Sequence, residues 1–174
     1  MSPIFLLDSA KLSQLLKDAL SWKDSTASLM VSATNGSILA YAFKNQIPDI
    51  KALRTMSTTM TAAYTIASED ILVFEAQLTR AMSVIMPVGD HVLLAVSGPE
   101  RAPSPPTGHE QVNGTGALDD DAAEASSEEQ AEPVQPYEED QEQETLRRNL
   151  EEVAESLAAV LREELAGFTW PGNI

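Results

Sequence analysis

Residues 28–43, Ser-Leu-Met-Val-Ser-Ala-Thr-Asn-Gly-Ser-Ile-Leu-Ala-Tyr-Ala-Phe, constrain the fold of this chain more than any other stretch. Two short apolar runs flank Asn35-Gly36, the dipeptide best suited to the paired positive φ angles of a type I′ turn. Leu29, Val31 and Ala33 alternate with Met30 and Ser32 in the first run. Ile38, Ala40 and Ala42 alternate with Leu39, Tyr41 and Phe43 in the second. Both faces of the expected hairpin are largely apolar, so it belongs inside a sheet covered on both sides.

Helical patterns bracket the hairpin. Leu12, Leu15, Leu16, Ala19 and Leu20 recur at i, i+3, i+4, i+7 and i+8, which predicts a helix over 9–22, capped by Asp8 or Ser9. Pro48 and Asp49 read as a second helix start, with the proline at the first helical position. Ile50, Leu53, Met56, Met60, Ala63, Tyr64 and Ala67 continue it. Five threonines (Thr55, Thr58, Thr59, Thr61 and Thr65) weaken its intrinsic propensity, so packing must hold it together. Three strand-like runs follow at 71–78, 81–88 and 91–97, and Pro87 should mark a strand end or bulge.

The net charge of −16 is concentrated in one place. Residues 1–98 balance to −1, residues 99–144 to −13, and residues 145–174 to −2. The middle segment carries six prolines with acidic runs at 119–121 and 138–140, and reads as a disordered insert. A helix is then expected over 145–166, closed by Gly167, with Leu146, Leu150, Val153, Leu157, Val160, Leu161 and Leu165 as its apolar stripe. Its return to the sheet is energetically reasonable. Closing the longer loop costs about 2 kcal/mol; burying seven aliphatic side chains returns roughly 1.5–3 kcal/mol each. The tract itself is expected to be a dispensable tether, with Ser104 and Ser126 as exposed phosphorylation candidates.

Several function classes lack support in these residues. No basic stripe exists for nucleic acid. Cysteine is absent, and the two histidines, His91 and His109, have no ligand partner at metal spacing. No phosphate loop or nucleophile elbow occurs. The expectation is therefore a non-enzyme with no cofactor, no metal and no direct membrane insertion. The 4–7 apolar run is too short for a signal peptide.

The element order helix, strand, strand, helix, three strands, helix, together with "VSATNGSILAYAF" and the closing "LEEVAESLAAVLREEL", resembles the roadblock/LC7 family. The resemblance covers about 1–98 and 145–168. The closing helix makes the chain most similar to the roadblock subunits of the late-endosomal/lysosomal adaptor (Ragulator) complex; dynein-type roadblock light chains usually stop after the fifth strand. A dynein-type light chain, or a PAS-, GAF- or profilin-like binding module, is the alternative.

The resemblance implies an α+β fold: a five-stranded antiparallel sheet, the second helix on one face and the terminal helices on the other. It also implies heterodimerisation with another roadblock-domain subunit and recruitment of Rag-type small GTPases in TORC1 signalling. The setting would be the cytosolic surface of the late endosome, lysosome or vacuole. The partner-binding residues would come from the second helix (Ile50, Leu53, Arg54, Met56, Ser57, Met60, Thr61 and Tyr64). The strand after it would add Ile71, Leu72, Val73, Phe74, Glu75 and Gln77. An edge strand with so few charges is a hazard until it is paired.

Overall fold

The structure, a computed structural model, describes residues 8–67, 70–76, 80–101 and 136–166, with side chains from Asp140 onward in the last segment. The elements run α1 (Ser9–Ala19), β1 (Ser28–Ala33), β2 (Ile38–Phe43), α2 (Ile50–Ala67), β3 (Leu72–Glu75), β4 (Met82–Gly89), β5 (Val92–Ser97) and α3 (Pro136–Leu165). The strands form one antiparallel sheet in the order β2-β1-β5-β4-β3. This is the α-β-β-α-β-β-β-α architecture expected from the sequence. The hairpin, however, does not lie wholly inside the sheet: β1 is an interior strand and buried throughout, whereas β2 forms an edge.

Strand alternation divides the apolar side chains between two faces. On one, Leu29, Val31, Val84, Leu94 and Val96 pack with Leu12 and Leu16 of α1 and with Leu150, Leu157 and Leu161 of α3. On the other, Met30, Ile85, Leu93 and Ala95 pack with Leu53 and Met60 of α2. The first face is the larger core. In α3, Ala154 and Ala158 are buried in that core, while Val160, expected in the stripe, is exposed. Gly98 permits a close approach: a Cβ there would sit 3.3 Å from Leu146 Cδ1.

Four local readings are corrected. The β1–β2 turn is not type I′, because only Gly36 has a positive φ (86°). The Gly36 N–H donates to the Ala33 carbonyl and the Ala33 N–H to the Ser37 carbonyl. Asn35 Oδ1 meanwhile accepts from the Ser37 N–H at 2.9 Å. This three-residue loop, with a left-handed glycine and a register shift after Val31, is the bulged alternative available to the same dipeptide.

At α2, Asp49 is the cap, accepting from the Ala52 N–H at 2.7 Å, so Pro48 lies outside the helix. At α1, the helix ends at Ala19, three residues before Trp22.

The largest difference is α3, which begins at Pro136 and not near residue 145. Proline at the first helical position followed by Glu138, Glu139 and Asp140 is itself a helix-start pattern. The expected insert therefore loses residues 136–144 to this helix; residues 102–135 and Gly167 lie outside the described residues. Pro87 behaves as expected, at a register shift between β4 and β5. His91 occupies the β4–β5 turn with φ 61°, and β5 starts one residue later.

Candidate interaction surface

Apolar side chains and one hydroxyl hold the second helix against the sheet. Its inward face carries Leu53, Ser57, Met60 and Thr61, all buried. Ser57 Oγ donates to the Gly36 carbonyl at 2.9 Å, tying the helix to the β1–β2 turn. Thr61 Oγ1 donates to the Ser57 carbonyl at 2.9 Å, and Thr65 Oγ1 to the Thr61 carbonyl at 2.8 Å. These internal bonds let polar residues occupy a helix interior without an unpaired group. Leu53, Ser57, Met60 and Thr61 thus serve the chain's own core.

The outward face of α2 is unusual in having no charge between residues 55 and 67. Thr55, Thr58, Thr59, Ala62, Thr65 and Ile66 are all exposed, and Ile66 retains 83% of its surface. Among the sequence-predicted positions on this helix, Ile50 (62% exposed) and Arg54 face solvent, while Met56 and Tyr64 are half-buried. Burial, and secondarily the Asp70 carboxylate, raise the Tyr64 pKa above its ordinary value. The outward threonines and Ile66 lie off the apolar stripe, so hydrophobic periodicity does not mark them. The signal that would have found them is the thirteen-residue absence of charge.

The edge strand β3 adjoins this helix. It is shorter than the expected 71–78 run and, among the described residues, pairs only with β4, matching Leu72 with Ile85 and Glu75 with Met82. The Ala76 N–H donates to the Ala81 carbonyl, so hydrogen-bonded positions alternate back through Phe74 and Leu72. The N–H and C=O groups of Val73 and Glu75 consequently point away from the sheet. Leu72 and Phe74 pack with the α2-side core, and Val73 with the opposite one. Ile71 is 36% exposed and Glu75 is exposed; Gln77 lies outside the described residues. The structure therefore brings Met56, Tyr64, Leu72 and Phe74 together on one side of the sheet.

On the other side, a groove of about 320 Å³ lies between β3 and the first turns of α3. Val73, Phe74, Glu75, Met82, Asp140, Gln143, Glu144 and Arg147 line it. Glu75 Oε1 accepts from Arg80 Nε at 3.3 Å, and Glu151 Oε1 from Arg147 Nε at 2.9 Å. That second bond, with the charge of Glu151, raises the Arg147 pKa.

Among the described residues no group of three or more His, Cys, Asp or Glu side chains could hold a metal ion. No helix among them is long and apolar enough to cross a membrane.

No protein-family profile matches the chain, and no curated protein matches it. Among solved structures, it is similar to a roadblock/LC7 domain from Streptomyces avermitilis, at 13% identity and TM-score 0.43, covering 50% of this chain and 77% of that one. It is similar to the gliding protein MglB from Thermus thermophilus, at 18% identity and TM-score 0.44, covering 59% and 82%. It is also similar to MglB from Myxococcus xanthus, at 16% identity and TM-score 0.41, covering 56% and 76%.

Proposed function

We propose that this chain is a non-enzymatic scaffold subunit that pairs with a second roadblock-type subunit through the outward face of α2 and the open edge of β3. The observation carrying this reading is the outer face of α2, charge-free from residue 55 to residue 67 and with Ile66 83% exposed, beside a strand whose outward backbone groups have no partner strand among the described residues. A solvated helix normally presents charges on its outer face. An unpaired edge of low charge normally invites another strand. Pairing satisfies both and extends the sheet across two chains.

The sequence resemblance supplies the finer setting. In this reading the pair forms part of a Ragulator-like assembly that supports Rag-type small GTPases in TORC1 signalling. The assembly sits on the cytosolic side of the late endosome, lysosome or vacuole, and partners hold the chain at the membrane.

Coexpression with a roadblock-type subunit, followed by native mass spectrometry, tests the reading. A one-to-one complex is expected. A chain that remains monomeric beside every roadblock subunit offered would refute it.

A further inference from the structure

We infer that the strand completing the β3 edge carries basic side chains on its α3-facing side, seated over the groove between β3 and the first turns of α3. The inference rests on the reading that β3 receives a partner strand, and it adds the chemistry of that strand.

Geometry fixes which side chains of an added strand reach the groove. Residues directly opposite across a ladder share a face of the sheet. Val73 lies on the α3 side, where its side chain packs into the same core as Met82 of the neighbouring strand. Glu75 shares that parity. Side chains opposite Val73 and Glu75 therefore project over the groove, and the alternate ones meet Leu72 and Phe74 on the α2 side.

Charge then selects the side-chain type. The groove holds three carboxylates, Glu75, Asp140 and Glu144, against one guanidinium. That guanidinium, Arg147, already engages Glu151. Arg80 engages Glu75. Asp140 and Glu144 have no cation within ion-pair distance among the described residues, although Arg147 lies near enough to Glu144 to interact with it electrostatically. An acidic side chain brought here would be repelled by both, whereas Lys or Arg would pair with them while its methylene stem covers Val73 and Met82. The fitting partner strand alternates basic and apolar residues.

Two fluorescein-labelled peptides test this against the full chain by anisotropy: Thr-Val-Lys-Val-Lys-Val-Thr and Thr-Val-Glu-Val-Glu-Val-Thr, each with blocked ends. The lysine peptide is expected to bind at least tenfold more tightly at low salt. Asp140→Asn with Glu144→Gln should reduce that preference to threefold or less. Glu155→Gln with Glu163→Gln, the same charge change at exposed α3 positions outside the groove, should leave it intact. Equal binding of the two peptides, no binding of either, or equal loss from both double variants would overturn the inference.

Failure of the pairing reading itself gives a different pattern, in which neither the parent chain nor any variant captures a roadblock-type subunit. A roadblock subunit captured in a manner sensitive to Ile66→Lys, but indifferent to Asp140→Asn with Glu144→Gln, would leave that reading standing and overturn only the charge selection.

Discussion

Replacing Ile66 by lysine separates the chain's own stability from its association. Ile66 is 83% exposed, so folding covers only about a sixth of the side chain, worth at most about 0.5 kcal/mol. The residue lies one position from the end of α2, and that last turn has no basic residue. A cation there gains about 0.3–1 kcal/mol from the helix dipole, which offsets the lost burial. The isolated variant should therefore match the parent within about 0.5 kcal/mol in urea unfolding.

The complex should respond differently. Covering the remaining surface of an isoleucine contributes about 2 kcal/mol, or roughly thirtyfold in Kd, and desolvating the lysine enlarges the loss. Isothermal titration of parent and variant with a captured roadblock-type subunit reads this directly. A variant that folds normally and binds within threefold of the parent would refute the placement of Ile66 in the interface.

Three further outcomes follow from particular contacts. Leu157 is fully buried between α3 and the sheet, so Leu157→Ala should cost about 3 kcal/mol and lower Tm by about 10 °C in calorimetry; a loss below 1 kcal/mol would contradict the docked position of α3. Gly36 holds φ at 86°, with Thr58 Oγ1 3.6 Å from the position of a Cβ, so Gly36→Val should cost about 2 kcal/mol and Gly36→Asn clearly less, by chemical denaturation. Tyr64 keeps its proton in the folded chain to higher pH than in the unfolded one, so its contribution is complete below the ordinary tyrosine pKa and is lost as pH rises through the raised value. Phenolate absorbance titration of parent against Tyr64→Phe should show the late-titrating tyrosine, later still with a partner bound; no late component would contradict its burial.

How much was legible differs from element to element, for physical reasons. The hairpin was visible because Asn-Gly between apolar runs has few other uses, yet the turn type was not. A single left-handed glycine plus an Asx bond satisfies the same dipeptide with one more loop residue. The orientation of α2 was only partly legible: Leu53 and Met60 marked the inward face, but Ser57 and Thr61 lie there too, seated by hydroxyl bonds that no hydrophobic pattern records. In α3, the acidic composition of residues 138–144 masked a helix start whose Pro136 was in plain view. The open edge itself was legible in the few charges of the run that contains Leu72 and Phe74. It was obscured at Ile66, because an isolated apolar residue among threonines carries no periodic signal.

Amide hydrogen exchange across β3 reads out whether β3 and the outer face of α2 receive a partner. In the chain alone, the Val73 and Glu75 amides point away from β4 and should exchange fast, while Leu72 and Phe74 are protected by the ladder. With a roadblock-type subunit bound, the Val73 and Glu75 amides should slow by at least tenfold. Unchanged exchange at both positions in a complex that protects some other surface would rule out pairing at this edge.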